Sequence, residues 1–250
     1  MRIGIAGMTG RMGKLLAEEA RAAGHEVSGG TRRPGAGPGG FADMAGLAAA
    51  SDVVIDFTHA DAAEGHAAAL AAAGVPWVLG TSGLSPAAEA AVADAARRIP
   101  VVYAPNYAPG VVLVQELAER LGAALPPDAY DAEIVEMHHR HKVDAPSGTA
   151  VGLGRAVARG RGVDLAGVMQ SGRDGHTGPR PPGAIGFAAL RGGEVVGEHT
   201  VLFASATEHI ALTHRAFDRR VFASGAVRAA GWLHGQAPGL YSMLHVLGVR

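Results

Sequence analysis

The sequence predicts an α/β protein with two domains: a doubly wound parallel sheet, and a second α+β domain with a mixed or antiparallel sheet. Three observations support this. Strand-like apolar segments alternate with helical segments through the first hundred or so residues. A glycine-rich turn joins the first strand to the first helix. Between residues 185 and 213, three strand-like segments follow one another with no helix between them, which favours antiparallel pairing.

Composition limits the class of protein. A length of 250 residues with 48% hydrophobic content suits one large domain or two modest ones. A net charge of −1 argues against broad electrostatic binding to nucleic acid or membrane. The absence of cysteine excludes disulfides, thiol nucleophiles and cysteine-ligated zinc. With no signal segment and no apolar run of membrane length, we expect a cytoplasmic protein.

The first strand, Arg2–Ala6, leads into Gly7, Gly10 and Gly13 and then a helix over residues 11–23. This G-x-x-G-x-x-G pattern is a variant of the dinucleotide fingerprint G-x-G-x-x-G. Its glycines allow a tight turn and close approach of a pyrophosphate to the helix start. The pattern favours a Rossmann-type dinucleotide domain, although a glycine turn without a ligand is also possible.

The second strand, Glu26–Gly30, ends in Thr31, Arg32 and Arg33. A carboxylate at this position would suit the ribose hydroxyls of NAD, whereas two guanidiniums suit a 2′-phosphate. We therefore expect NADPH or NADH as the cofactor, with NADPH favoured. The alternative is a pair of solvated arginines.

Further strands over 52–58, 75–79 and 101–104 alternate with helices over 61–73 and 85–98. Ligands of such sheets bind at the carboxyl ends of the strands. We expect one crevice there, lined by residues 7–12, 31–33, 57–58, 80–82 and 104–107.

The pattern changes after a helix over 111–125. Strands are predicted over 131–137, 185–190, 195–204 and 209–213, the last three at hairpin spacing, with a helix over 149–159. A final helix over 219–233 precedes a tail expected to pack on the first domain. The predicted boundaries are 1–108 with 219–250 for the dinucleotide-binding domain and 109–218 for a substrate-binding and oligomerisation domain.

Residues 133–150 contain the highest concentration of potentially catalytic side chains in the chain. His138, His139 and His141 lie within four positions, and Lys142 is one of only two lysines. Histidine exchanges protons near neutral pH, and lysine provides a compact cation. Histidine and lysine side chains together suit a site that binds an anion and delivers a proton.

A turn opening a helix follows this cluster. Ser147 can cap the helix, and the amides of Gly148 and Thr149 would then face a carboxylate or phosphate. Two alternatives stay open: a solvated loop, and a metal site completed by Glu136 and Asp144. The cation of Lys142 disfavours the metal site.

Residues 133–150 resemble the signature of the dihydrodipicolinate reductase family, whose members are 4-hydroxy-tetrahydrodipicolinate reductases of lysine and diaminopimelate biosynthesis. The resemblance covers essentially the whole chain, and the long block is far more specific than the glycine turn. It includes residues 7–13, 56–58, 80–83, 104–107, 175–178, 197–200 and 222–228. It implies NAD(P)H-dependent reduction of a small dicarboxylate, with loss of water, by a homotetramer.

The resemblance also implies residue roles. His138 is similar to the catalytic acid/base and Lys142 to the proton donor, while His139, Gly148 and Thr149 are similar to the substrate-carboxylate contacts. Arg32 stands where some members carry an acidic ribose ligand, and Ser82 and Pro105 differ from the commonest residues of their loops. The implied cofactor contacts are Gly7, Met8, Thr9, Gly10, Arg11, Met12, Arg32, Arg33, Gly80, Thr81, Ser82, Ala104, Pro105, Asn106 and Tyr107.

The sequence also leaves three alternatives from other functional classes open. One is another nicotinamide-dependent oxidoreductase acting on an amino-acid-derived acid. A second is a non-catalytic nucleotide sensor on the same fold, which would leave the proton-transfer cluster unexplained. A third is a histidine-ligated metal hydrolase.

Overall fold

The computed structural model describes residues 1–31 and 40–249, so Arg32 and Arg33 lie outside the described residues. The chain forms two compact units. The first contains Met1–Pro109 and Arg220–Arg250, and the second contains Gly110–Arg219.

The first unit is built on a six-stranded sheet in the order β11-β5-β4-β3-β1-β2, in which every neighbouring pair is parallel. The last strand, β11, lies within the predicted tail and pairs with β5. The chain end therefore packs on this unit, as predicted. The strands are β1 (Arg2–Ala6), β2 (Glu26–Gly30), β3 (Val53–Asp56), β4 (Trp77–Leu79), β5 (Pro100–Tyr103) and β11 (Gly239–Tyr241).

Helices connect these strands, as the alternating pattern predicted. The short helix α2 (Met44–Ala49) was not predicted; the Asp43 side chain caps it by accepting a hydrogen bond from the Gly46 amide. The helices are α1 (Arg11–Ala22), α2 (Met44–Ala49), α3 (Ala63–Ala73), α4 (Pro86–Ala96), α8 (Arg220–Leu233) and α9 (Met243–Val246), with a 3₁₀ turn at Ala60–Ala62 before α3.

The turn after β1 requires glycine at two positions, Gly7 and Gly13. Gly7 adopts a φ of +69°, which a residue with a Cβ rarely adopts. A Cβ on Gly13 would lie 2.4 Å from the Gly7 carbonyl oxygen. The first turn of α1 therefore packs directly against the turn. Strand order changes direction here, because β2 and β3 flank β1 on opposite sides.

The second unit contains a five-stranded sheet in the order β10-β9-β6-β8-β7. Its pairs β6–β9 and β9–β10 are antiparallel, whereas β6–β8 and β7–β8 are parallel, so the sheet is mixed as predicted. The strands are β6 (Asp131–His138), β7 (Met169–Ser171), β8 (Ile185–Arg191), β9 (Gly197–Ala204) and β10 (His209–Ala216).

The prediction of hairpin pairing between β8 and β9 is wrong. β6 lies between them and hydrogen-bonds to both. The short loop after β8 therefore carries the chain across β6 to its other edge. Spacing along the sequence reports loop length, and it does not show which earlier strand already occupies the neighbouring position.

One face of this sheet is covered by α6 (Gly148–Gly160). The chain also forms α5 (Pro109–Ala124) before β6 and the short α7 (Leu165–Val168) after α6. Ile134 and Phe203 of the sheet pack in one core cluster with Leu153 and Val157 of α6. Strand alternation places Glu136 and His138 on the same side of β6 as Ile134. Within the described residues, no helix has the length and apolarity needed to cross a membrane.

Candidate active site

A cavity of about 590 Å³ opens in the first unit at the carboxyl ends of β1 and β3. This is the point where strand order reverses, which is where open α/β sheets bind ligands. The predicted cofactor residues Gly7, Thr9, Gly10 and Arg11 line it, and Met8 and Met12 belong to the same turn and helix start. The other lining residues are Thr31, Phe57, Thr58, His59, Ala62 and His66.

The glycine turn fits the pyrophosphate of a dinucleotide. Gly10 is the N-cap of α1 and supplies no side chain to its first amides. The space that a Cβ on Gly13 would need is filled by backbone, so the helix start lies directly behind the turn. Unpaired amides at a helix start, with the macrodipole behind them, bind anions.

A buried carboxylate organises the opposite wall of the cavity. Asp56 accepts hydrogen bonds from the amide and hydroxyl of Thr58 and from His66 Nδ1, at 2.6 to 3.0 Å. Thr58 was predicted to lie at this strand end, whereas His59 and His66 were not predicted to line the site. The available signal for His66 was its place early in the helix that follows β3.

The remaining predicted cofactor residues follow β4 and β5 at the same edge: Gly80, Thr81, Ser82, Ala104, Pro105, Asn106 and Tyr107. A Cβ on Gly80 would lie 2.3 Å from the Phe57 ring. The Thr81 hydroxyl is buried and has no hydrogen-bond partner among the described residues, as expected of a group that meets a ligand.

Tyr107 serves a different purpose at this edge. Its side chain is 1% exposed, and its hydroxyl lies 2.9 Å from the carbonyl oxygens of both Leu79 and Val102. The side chain thus joins the ends of β4 and β5. A cofactor contact of Tyr107 could come only from its backbone.

In the second unit, β6 delivers Glu136 and His138 to the buried face of the sheet. Glu136 is 1% exposed and His138 is 8% exposed. His138 Nδ1 donates to Glu136 Oε2 at 2.6 Å, and Arg191 from β8 binds both oxygens of Glu136 at 2.8 and 2.9 Å. The backbone amide of Ser147 also donates to Glu136, at 3.1 Å.

The protonation state of His138 follows from these neighbours. Burial lowers its pKa, the carboxylate of Glu136 opposes this, and the cations of Lys142 and Arg191 lower it further. The net effect is a pKa below the ordinary value. At neutral pH the ring is therefore neutral, with its proton on Nδ1 and an unprotonated Nε2.

His199 of β9 packs against this ring edge-on, with 5.0 Å between ring centroids. Its Nε2 lies 3.0 Å from the Ser147 hydroxyl. Burial lowers its pKa to about 4, so it is neutral at physiological pH. Its Nδ1 is buried and has no partner in the part of the chain that the structure describes.

Lys142 and His139 lie in the turn after β6. The Lys142 ammonium donates to Asp144 at 2.8 Å, and its charge reaches both His138 and His199. His139 Nδ1 is buried without a described partner. His141, in contrast, is exposed; its Nε2 lies 3.9 Å from Glu194, and its ring lies beside that of His139 with 6.2 Å between ring centroids.

The start of α6 completes the cluster. Ser147 caps the helix as predicted, because its hydroxyl accepts from the Ala150 amide at 3.1 Å. Open space surrounds Gly148 where a Cβ would be. Gly148 and Thr149 form the first turn, so the predicted anion position has both helix-start amides and room for a ligand.

The chain matches known protein families over nearly its whole length. The family models for the N-terminal and C-terminal parts of dihydrodipicolinate reductase match residues 1–107 and 110–247. The chain belongs to the dihydrodipicolinate reductase family.

Relatives in this family are similar along the full length. The 4-hydroxy-tetrahydrodipicolinate reductase of Granulibacter bethesdensis is 68% identical over all of this chain and 98% of its own. That of Acidiphilium cryptum is 65% identical with the same coverage. A dipicolinate-bound dihydrodipicolinate reductase from Paenisporosarcina sp. TG-14 shares the fold, with a TM-score of 0.80, 24% identity and 98% coverage of both chains.

Membership in the dihydrodipicolinate reductase family confirms several predictions. The family and relatives indicate an oxidoreductase at the reductase step of lysine and diaminopimelate biosynthesis. They imply a nicotinamide-dependent reductase without separating NADH from NADPH.

The metal site was an alternative at the level of the sequence. Within residues 1–31 and 40–249, no group of three or more His, Asp or Glu side chains is arranged to hold a metal ion.

Proposed function

We propose that this chain reduces 4-hydroxy-tetrahydrodipicolinate to tetrahydrodipicolinate, with loss of water, and prefers NADPH to NADH. The observation that carries the proposal is the buried Glu136–His138 pair, next to the Lys142 turn and the start of α6. A cation, a proton carrier and an anion-binding helix start are the groups needed to reduce an unsaturated carboxylate.

The cofactor part of the proposal rests on the first unit. The glycine turn and the start of α1 would hold the pyrophosphate, and the edge after β4 and β5 would meet the rest of the dinucleotide. When bound, the nicotinamide supplies the hydride. Arg32 and Arg33 support the preference for NADPH from the sequence alone, since two guanidiniums suit a 2′-phosphate.

The substrate part rests on the second unit. The Gly148 and Thr149 amides and the Lys142 ammonium would neutralise a substrate carboxylate, with His139 beside them. The Paenisporosarcina protein is described as bound to dipicolinate, a small cyclic dicarboxylate, which supports a substrate of this class.

The proton transfer follows from the state of His138. Loss of the 4-hydroxyl as water leaves a conjugated imine in the substrate ring. Hydride addition at ring carbon 4 then sends an electron pair into an enamine, which must gain a proton at ring carbon 5. The unprotonated Nε2 of His138 cannot provide that proton at neutral pH until it receives one. Lys142 is a cation near enough to depress the pKa of His138, and we assign it the role of proton source.

The test is oxidation of NADPH and NADH with substrate generated in the assay by a synthase from pyruvate and aspartate semialdehyde. We expect substrate-dependent oxidation that is faster with NADPH. His138→Gln should lower kcat by about 10²–10⁴-fold while NADPH binding stays intact. Bound nucleotide without substrate-dependent oxidation would instead indicate another acid substrate or a sensor.

The homotetramer stays a prediction drawn from the family resemblance, and the cytoplasmic location stays a prediction drawn from the sequence. The second unit leaves Val135 and Leu190 of its sheet exposed, at 38% and 52%. This apolar character is compatible with subunit contacts on that sheet.

A further inference from the structure

Glu136 is the most heavily used acceptor of the candidate site. Its Oε1 accepts from the Ser147 amide and Arg191 Nη2, and its Oε2 accepts from His138 Nδ1 and Arg191 Nη1. The register explains why these groups meet. His138 pairs with Arg191 on β8, and Glu136 pairs with His199 on β9. A buried carboxylate is tolerated when it is paired and fully hydrogen-bonded.

We propose that Glu136, held by Arg191, is a positioning residue that fixes His138 in its Nδ1–H tautomer and ties it to the start of α6. This inference rests on the proposed function, because it assigns His138 the proton-carrying role. Glu136 acts through His138 and through Ser147, and is given no contact with substrate.

The tautomer follows from donor and acceptor chemistry. A carboxylate can only accept, so the His138 nitrogen that faces it must carry the proton. The 2.6 Å separation is typical of a charge-assisted bond. Nε2 is left as the lone-pair nitrogen, on the side of Gly197, where a Cβ would lie 2.9 Å from it.

The same two side chains also connect the proton carrier to the anion position. Glu136 accepts a hydrogen bond from the backbone amide of Ser147, which is the N-cap residue of α6. Arg191 donates to the Asp144 carbonyl oxygen at 2.6 Å, next to the Lys142–Asp144 ion pair. One ion pair therefore holds the proton carrier, the helix start and the lysine turn in register.

The charged and titratable groups around His138 are Glu136 on its own strand, Arg191 on β8, Lys142 in the following turn and His199 on β9. Of these, Glu136 raises the pKa of His138, whereas Lys142 and Arg191 lower it. Removal of the Glu136 charge should lower the pKa of His138 further. In a plot of kcat against pH, the apparent pKa that corresponds to His138 should then move to lower pH.

Glu136→Gln tests the inference because an amide cannot replace a carboxylate at this position. Its NH₂ group would meet only donors at the Oε1 position. At the Oε2 position it meets Arg191 Nη1, which is also a donor, and His138, whose ring can move its proton to Nε2 and then accept at Nδ1. The amide should therefore turn its NH₂ group towards His138 and reverse the tautomer.

The chain offers a matched control on the same strand. Glu133 is also paired with arginines, Arg173 and Arg180, at 2.8 to 3.0 Å. An odd number of positions separates it from Glu136, so its side chain lies on the other face of β6. Glu133→Gln removes the same charge from a comparable ion pair and leaves His138 untouched.

The experiment combines kinetics with ¹⁵N-histidine NMR, using His138→Gln to assign the resonance. We expect wild type and Glu133→Gln to show the Nδ1–H tautomer at neutral pH. Glu136→Gln should show Nε2–H, with kcat lower by about 10²–10⁴-fold and KM nearly unchanged. NADPH binding should be equal in all three proteins.

Several results would overturn the inference. An Nε2–H tautomer in the wild-type protein would do so even if Glu136→Gln failed to fold. Equal losses of kcat in Glu136→Gln and Glu133→Gln would reduce Glu136 to a structural role. A wild-type protein that shows the expected tautomer but no substrate-dependent oxidation would refute the proposed function and leave the positioning intact.

Discussion

Gly197→Ala should lower activity by displacing His138. The added Cβ would lie 2.9 Å from His138 Nε2, whereas ordinary contacts begin near 3.4 Å. The ring cannot absorb the shortfall of about 0.5 Å, because Glu136 holds its other nitrogen at 2.6 Å and His199 packs on its face. Misplacement by 1 Å can cost about 10²-fold in rate, so half that distance should cost about 10-fold.

The matched control is Gly167→Ala in α7 of the same unit, where an added Cβ meets no atom within 4 Å. The assay is kcat and KM for the reductase reaction, with thermal unfolding measured in parallel. Gly197→Ala should also lose about 1–3 kcal/mol of stability through overpacking. Gly167→Ala should keep wild-type kcat and be equally or more stable.

A folded Gly197→Ala protein with wild-type kcat would show that the added methyl group does not displace His138. A similar loss in both alanine variants would also contradict the prediction, since only one of them touches His138. A rise in KM alone would mean that the added methyl group blocks substrate entry and leaves the ring in place.

Three further predictions concern single groups. Lys142→Ala should raise KM and lower kcat together, reducing kcat/KM by about 10–100-fold, whereas replacing the only other lysine, Lys14→Ala, should change neither. Arg32→Glu should move the rate ratio from NADPH towards NADH by about 10-fold or more, and an unchanged ratio would show that this arginine is solvated. Because the pKa of His199 is lowered to about 4 from 6.5, its contribution to stability is complete above pH 6.5 and is lost as the pH falls towards 4. That loss is about 3 kcal/mol, measurable by urea unfolding, and His199→Gln should flatten the slope.

The first unit was largely predictable because its signals are local. β1 and β2 have the predicted bounds, and α1 begins at the predicted residue, since apolar runs and glycines mark both ends of each segment. The helices and strands that were not predicted are short, with six residues or fewer: α2, α7, β7, β11 and α9. Segments of that length complete too little of a helical or strand period to stand out, and tertiary packing determines them.

The candidate site divides in the same way. Residues 138, 142, 148 and 149 could be assigned to one candidate site from the sequence because they lie in one continuous block. Arg191 and His199 were missed because they reach Glu136 and Ser147 across 55 and 52 residues, and only sheet register brings them together. One local signal was available: the two-residue period of a strand puts Glu136 on the same face as His138.

The block over residues 133–150 is therefore not sufficient to build the proposed site. β6 is flanked on both sides, and its neighbours supply Arg191 from β8 and the space at Gly197 from β9. A chain that kept the whole block but changed either residue would still carry the family signature. We expect a change at residue 191 to lose the tautomer of His138, and a change at residue 197 to displace the His138 ring. Residues 191 and 197 are thus a further test when this block is used to infer activity in a distant relative.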